Sequence, residues 1–462
     1  SMKVIQIVPE LSPFTGQSRQ ALLLEQFILN LNNTHAFTIL PWYDTLKIND
    51  DKVKAHTHFR ESAVFETFLP ATDSIVYLIK PLNGFFSREE LKNDNETLLL
   101  FNKSVVEFIQ SLDQSFIIQC HSALSAILPL LRKNNPVTEH YPVLLTLHDL
   151  SEDFVIFKES IYKYMPNEFH KNEIEINGAD SALKIGLLFS NMINLCSKNY
   201  AIEVQKEESE YRQFFQNRAD KLYGIMNGIR YGIWNPSIDT FIPCKYSSDN
   251  LFGRFYNKVI LQEKLNLADR EEIPILFFGT RLSNEKGFDL ILDSLNELKE
   301  MPVQLLIYGT GEDYPEPETE KLINSLENVR YIRDYDEEFI HLILAGSDFI
   351  LLPTRSEPDG VSFLYALKYG IIPIAYHTGG LADAIFDQTC QDSSKVNGFL
   401  FSSYDSNSFI SIINEALDVW QDKTLFDKYI KNAMNADWSW KTCIRQYEVL
   451  YEKLKQSNNH NQ

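Results

Sequence analysis

Apolar residues in this chain fall into short continuous runs set between longer stretches of mixed character. Residues 3–8, 37–40, 75–79, 116–119, 144–147 and 192–197 read as strands, followed by 274–280, 303–308, 349–352, 371–375 and a strand ending at 397–401. Runs without polar alternation suit strands buried on both faces. Helical periodicity predicts helices over 19–31, with Leu22, Leu23, Phe27 and Leu31 on the apolar side, and over 94–112, 251–267, 361–369 and 409–434. One more follows Trp438-Ser439-Trp440 and runs to Lys455. Strands alternating with helices imply α/β domains with parallel sheets, whose ligand loops lie at the carboxyl ends of the strands.

The densest chemistry lies between Ser347 and Ala384. A buried strand stops at Pro353, and a polar loop carries Glu357, stiffened by Pro358 and opened to close backbone approach by Gly360. A helix follows and ends at Gly370, as a glycine C-cap should. After the next strand, Thr378-Gly379-Gly380 turns into a helix whose first N–H groups favour an anion. A carboxylate for hydroxyls beside a cradle for phosphate is what a sugar nucleotide needs. Arg281 and Lys286 flank another strand-to-helix loop, so both can converge on one diphosphate. Gly309-Thr310-Gly311 forms a glycine turn after a strand.

Composition narrows the partners. The chain has 462 residues, 44% hydrophobic and 13% aromatic, enough for two or three sizeable cores. Its net charge is −20, which repels phosphate backbones, so nucleic acid is not an expected partner. The five cysteines are odd in number and lack metal-ligand spacing, and no apolar run is long enough to span a bilayer. These features point to a soluble, cytoplasmic protein without a transmembrane segment, metal or cofactor.

Ser356-Glu357-Pro358-Asp359-Gly360, Leu364-Tyr365-Ala366-Leu367-Lys368-Tyr369-Gly370 and Thr378-Gly379-Gly380-Leu381-Ala382-Asp383 together resemble the bacterial glycogen synthases and plant starch synthases. Tyr365, eight residues after Glu357, matches the tyrosine of those synthases where the wider superfamily has a second Glu. The resemblance implies a GT-B fold, two doubly wound Rossmann-like domains facing across a cleft, and retaining transfer of glucose from ADP- or UDP-glucose to an α-glucan. It implies that Arg281 and Lys286 meet the donor phosphates, that Tyr335 stacks on the base and that Asn177 reaches the donor sugar. It adds Gly16, Gly309, Asp359, Gly360, Tyr365, Thr378, Gly379 and Gly380 to the substrate-binding set, and Glu357 and His121 to the catalytic one. The domains it suggests are residues 1–240, 273–436 and a C-terminal segment 437–462 returning to the first domain, with 241–272 as the passage between.

The chain departs from the family at three places. Phe14 and Gln17 replace a lysine and the second glycine of the loop after the first strand. If His121 takes the first position of the family's His-Asp-Trp-His run, its last position falls on Leu124. Arg230 stands where an Asp is usual. These departures leave open a protein or small-molecule acceptor, or a non-catalytic protein that binds a sugar nucleotide or glucan. Phe14 is expected to stack on an acceptor sugar or else to be a packing residue.

Overall fold

A computed structural model describes residues 2–165, 178–282, 285–311, 315–358 and 361–459, with the side chains of 280–282 excepted. Two compact units emerge: residues 1–228 together with 440–462, and residues 229–439.

In the first unit the strands are β1 (Lys3–Ile7), β2 (His35–Pro41), β3 (Lys54–His58), β4 (Ser62–Phe68), β5 (Ile75–Pro81), β6 (Phe116–His121), β7 (Val143–Leu147), β8 (Met192–Leu195) and β9 (Leu222–Gly224). They pair in the order β3-β4-β5-β2-β1-β6-β7-β8-β9. From β5 to β9 every pairing is parallel, while β3 and β4 add an antiparallel edge. The chain winds outward from β1 in both directions, so the switch point falls between β1 and β6. The edge hairpin was not legible in the apolar pattern, because β3 reads KAHTH and is largely exposed.

The helix Arg19–Leu29 is capped by Ser18, whose hydroxyl accepts from the N–H of Ala21 at 3.1 Å. It buries Ala21, Leu24, Phe27 and Ile28, whereas Leu22 is 42% exposed. Its buried stripe is therefore turned by about one residue from the one the periodicity suggests. The last helix, Trp440–Asn459, packs in this unit and buries Ile444, Tyr447, Leu450, Tyr451 and Leu454.

A buried polar chain ties that helix to the sheet. Gln6 donates to Gln119 at 3.0 Å, Gln119 to Thr146 at 2.8 Å, and Thr146 to Asn194 at 2.5 Å. Asn194 donates to the Tyr447 hydroxyl at 3.1 Å, and Tyr451 donates to Gln119 at 2.5 Å. The four adjacent strands β1, β6, β7 and β8 each contribute one member, and each buried amide is paired with its neighbour.

The second unit holds β10 (Ile275–Leu282), β11 (Gln304–Gly311), β12 (Val329–Ile332), β13 (Phe349–Leu352), β14 (Ile372–Tyr376) and β15 (Phe399–Phe401), all parallel, in the order β12-β11-β10-β13-β14-β15. Its switch point lies between β10 and β13. The predicted helix over 409–434 is two, Ser406–Gln421 and Lys423–Asn435, because Asp422 caps the second by accepting from the N–H of Leu425 at 3.1 Å.

Residues 229–272 belong to this unit rather than to a free passage. Arg254, on the helix Phe252–Lys264, donates to the carbonyls of Tyr369 and Ser347, and Lys258 pairs with Asp348 at 2.8 Å. Asp239 accepts from Tyr369 at 2.5 Å and meets His341 Nδ1 at 2.6 Å, and Trp234 stacks on the His341 ring at 3.7 Å. These buried contacts fix the loop 229–239 against the helices Glu337–Gly346 and Leu364–Lys368.

Candidate active site

The loops after β10, β13 and β14 meet at the switch point of the second sheet. Gly287, at φ +88°, lets the first two loops touch: a Cβ there would lie 2.1 Å from the Pro353 carbonyl oxygen. The N–H of Arg355 donates to the Glu285 carbonyl at 2.9 Å. Arg355 also forks onto Asp289 at 2.9 and 2.7 Å, and that guanidinium holds the Asp289 carboxyl below its usual range. The two loops are thus clasped on both sides of Lys286 and Glu357. Lys286 Nζ lies 2.5 Å from Glu357 Oε2, and the lysine is 33% exposed while the glutamate is 12% exposed.

The third loop closes on the same glutamate from behind. The N–H of Gly380 donates to the Glu357 carbonyl at 2.9 Å, and Gly379 at φ +43° makes way for that oxygen. This corrects one expectation: the Gly380 N–H assigned to a phosphate is engaged within the protein. Thr378 sits at the N-cap of the short helix Gly379–Ala384, buried and without a side-chain cap bond.

Other expected residues are distributed along the carboxyl edge of this sheet. Gly309 lies opposite Thr280 at φ +134°, near the end of β11. Tyr335 follows β12 with its ring 64% exposed, just before Asp336, which caps the next helix. The Tyr365 hydroxyl donates to the Arg230 carbonyl at 3.3 Å, and its ring lies 5.9 Å from Trp234. Arg281 pairs with Thr310 in the β10–β11 register. The Arg281 side chain, Asn177, Asp359 and Gly360 lie outside the described residues.

In the first unit a cavity of about 310 Å³ opens where the loops after β1, β6 and β7 come together. Glu10, Gln20, Tyr43, Arg88, Leu124 and Asp149 line it. Arg88 reaches Glu10 at 2.7 Å and lies 5.0 Å from the Tyr43 ring centre, and the Ser18 hydroxyl donates to Glu10 at 3.1 Å. Burial raises the Glu152 carboxyl at the same wall. Gly16 lies in the β1 loop at φ +100° with open space around it.

In this unit the expectation for His121 fails and the alternative left open for Phe14 is decided. His121 is fully buried, with Nε2 2.6 Å from Gln6 Oε1 and Nδ1 3.2 Å from His148 Nε2, so it belongs to the sheet's polar interior and does not reach a substrate. Burial, reinforced by His148, holds its pKa well below the ordinary histidine value. Phe14 is only 3% exposed and packs in the core, so it is a packing residue rather than an acceptor platform.

Sequence reasoning missed Glu10, Arg88 and Asp149. Glu10 and Asp149 each stand just past a strand end, a position that could have marked them. Arg88 begins a short helix remote in sequence from both, and nothing local marked it. Among the described residues no three His, Cys, Asp or Glu side chains gather as metal ligands, and no helix is long and apolar enough to cross a membrane.

Two doubly wound sheets, one carrying a clasped cation–carboxylate pair at its switch point, define a glycosyltransferase of the GT-B fold. Residues 9–219 match the starch synthase catalytic domain, and residues 261–435 match the glycosyl transferases group 1 domain. Glycogen synthase of Bacillus cereus (strain Q1) is 31% identical over 396 residues, 83% of each chain. Glycogen synthase of Alkaliphilus metalliredigens is 32% identical over 386 residues, 80% of this chain and 81% of the relative. The catalytic domain of starch synthase IV from Arabidopsis thaliana, bound to ADP and acarbose, superposes with a TM-score of 0.72 at 24% identity, covering 98% of this chain and 99% of that one. The chain belongs to the glycogen synthase family and is a glycosyltransferase of glycogen and starch synthase type.

Proposed function

We propose that this glycosyltransferase moves glucose from ADP- or UDP-glucose to the end of an α-glucan in the cytoplasm, with retention and without a metal or cofactor. The observation that carries the reading is the Lys286–Glu357 pair at the second switch point. Lys286, with Arg281 five residues before it, neutralises the departing diphosphate as its charge develops. Glu357 accepts hydrogen bonds from sugar hydroxyls and fixes the ring's orientation. Each group of the pair is the other's counter-charge. Tyr335 offers an exposed ring for the base, and Thr378, Gly379 and Gly309 shape the backbone around the donor. Asn177, Asp359, Gly360, Tyr365 and Gly16 complete the substrate-binding set on the strength of the family pattern.

Retention by a glycosidase uses two carboxylates about 5 Å apart. Glu357 instead faces a lysine, which suits front-face substitution: the departing phosphate takes the acceptor proton while the acceptor oxygen enters on the same face.

A second reading has the same transfer with a protein or small-molecule acceptor. Leu124 on the wall of the first-unit cavity favours it: if His121 takes the first position of the family's His-Asp-Trp-His run, an apolar side chain replaces the last histidine, which in the family helps hold the glucose. A panel of ADP- and UDP-sugars, assayed with and without glycogen, tests both. Glucan elongation supports the first reading; donor hydrolysis unaffected by glycogen supports the second; no turnover of any donor overturns both.

A further inference from the structure

A fourth loop of the second unit reaches the clasp around Lys286 and Glu357. It is the short turn between β15 and the helix Ser406–Gln421, and it carries Tyr404. The turn is fixed at its far end, because Asp405 caps that helix by accepting from the N–H of Ser408 at 2.7 Å. The Tyr404 ring is half-buried, 5.0 Å from Tyr376 at the end of β14 and 6.4 Å from Phe401 at the end of β15. Burial pushes its phenol up to about 12, so the hydroxyl keeps its proton and donates at neutral pH.

Two contacts carry this side chain into the clasp. The hydroxyl donates to the Pro353 carbonyl at 2.6 Å. That is the oxygen against which Gly287 packs without room for a Cβ. Gly287 directly follows Lys286, and Pro353 directly follows β13 and leads into the loop of Glu357. The face of the ring lies 4.4 Å from the Arg355 guanidinium, the same group that forks onto Asp289. One residue from the loop after β15 therefore backs two of the points at which the loops after β10 and β13 touch. The loop after β14 acts separately, since the N–H of Gly380 holds the Glu357 carbonyl without Tyr404. What Tyr404 adds is the placing of the Lys286 loop against that carboxylate residue.

We infer that Tyr404 is a positioning residue for the transfer reaction: it holds Pro353 and Arg355 so that the Lys286 ammonium stays within reach of the Glu357 carboxylate. The inference rests on the reading of that pair as the transfer site. Tyr404 acts through the two loops, and its leverage comes from geometry, because a displacement of about 1 Å at a reacting centre costs ~10²-fold in rate. No local motif marks the residue in the sequence; its partners lie 51 and 49 positions earlier in the chain.

Tyr404→Phe removes the hydroxyl and keeps the ring, and Tyr404→Leu removes both contacts. Thermal unfolding shows whether each variant keeps its fold. Turnover of the preferred donor is then measured for both substitutions in the wild-type chain and in Lys286→Ala. Tyr404→Phe is expected to lower kcat about tenfold, the scale of one hydrogen bond. Tyr404→Leu is expected to lower it further, toward ~10²-fold. In Lys286→Ala either substitution should change kcat by no more than about twofold, because the group being positioned is gone. A residue that only stabilises the fold costs the same factor in both backgrounds, so equal losses overturn the inference, as does an unchanged kcat in Tyr404→Phe. Full activity of Lys286→Ala is a different failure: it overturns the reading of the transfer site and takes the inference with it.

Discussion

The carbonyl oxygen of Glu357 occupies the space a side chain at Gly379 would need. A Cβ on residue 379 would stand 1.9 Å from that oxygen, and the adjacent N–H of Gly380 holds the oxygen at 2.9 Å. The glycine turn therefore shapes the site by pinning the backbone of the carboxylate residue.

Gly379→Ala is expected to displace Glu357 and lower kcat by ~10²-fold, the scale at which a misplacement of about 1 Å acts. Steady-state kinetics on the preferred donor measure it. A variant with unchanged kcat would mean that the position of Glu357 does not matter to the chemistry.

Lys286→Ala is expected to lose ~10²-fold or more in kcat, because the leaving group's charge would develop unpaired and Glu357 would lose its counter-charge. Arg281→Ala should fall in the same range. Full activity of either variant on every donor tried would remove the diphosphate from this loop.

His121 gives the first unit a pH-dependent stability with a definite sign. Its folded pKa lies well below 6.5 because it is buried, so in acid the unfolded chain binds a proton that the folded chain refuses. Stability at neutral pH is unaffected by this group and declines as pH falls below about 6.5, at up to about 1.4 kcal/mol per pH unit. Urea unfolding of the wild type and His121→Gln across that window should show a shallower slope in the variant. Parallel slopes would assign acid sensitivity elsewhere.

Phe14→Lys restores the family's residue type at that position, yet the ring is 3% exposed and packs in the core. The substitution is expected to cost about 2–4 kcal/mol of stability, from lost apolar burial and an ammonium group carried into apolar surroundings. Phe14→Leu should cost less than half of that. Denaturant midpoints distinguish the two, and a Lys variant as stable as wild type would place the ring at the surface.

The second unit was the more legible from sequence. Lys286, Glu357 and Gly379 each sit in a local strand–loop–helix pattern, and their meeting follows from the order of parallel strands. The first-unit cavity draws Glu10, Arg88 and Asp149 from three remote segments, which no local pattern joins. His121 misled for the complementary reason. A histidine ending a strand looks like a ligand residue until its neighbours Gln6 and His148, on other strands and loops, are seen to enclose it. The same holds for Gln119, Thr146 and Asn194, polar residues whose partners exist only in the assembled sheet.

That row of buried amides also sets a schedule. Asn194 and Gln119 find Tyr447 and Tyr451 on a helix the ribosome delivers only after the whole of residues 229–439. Domains otherwise fold in the order they are made. Here the earliest-made sheet waits with one flank uncovered, its amides hydrated and its apolar face open, while the second unit is synthesised. The part of the molecule born first is finished last, and a nascent chain stalled before residue 447 carries an interior that water has not yet left.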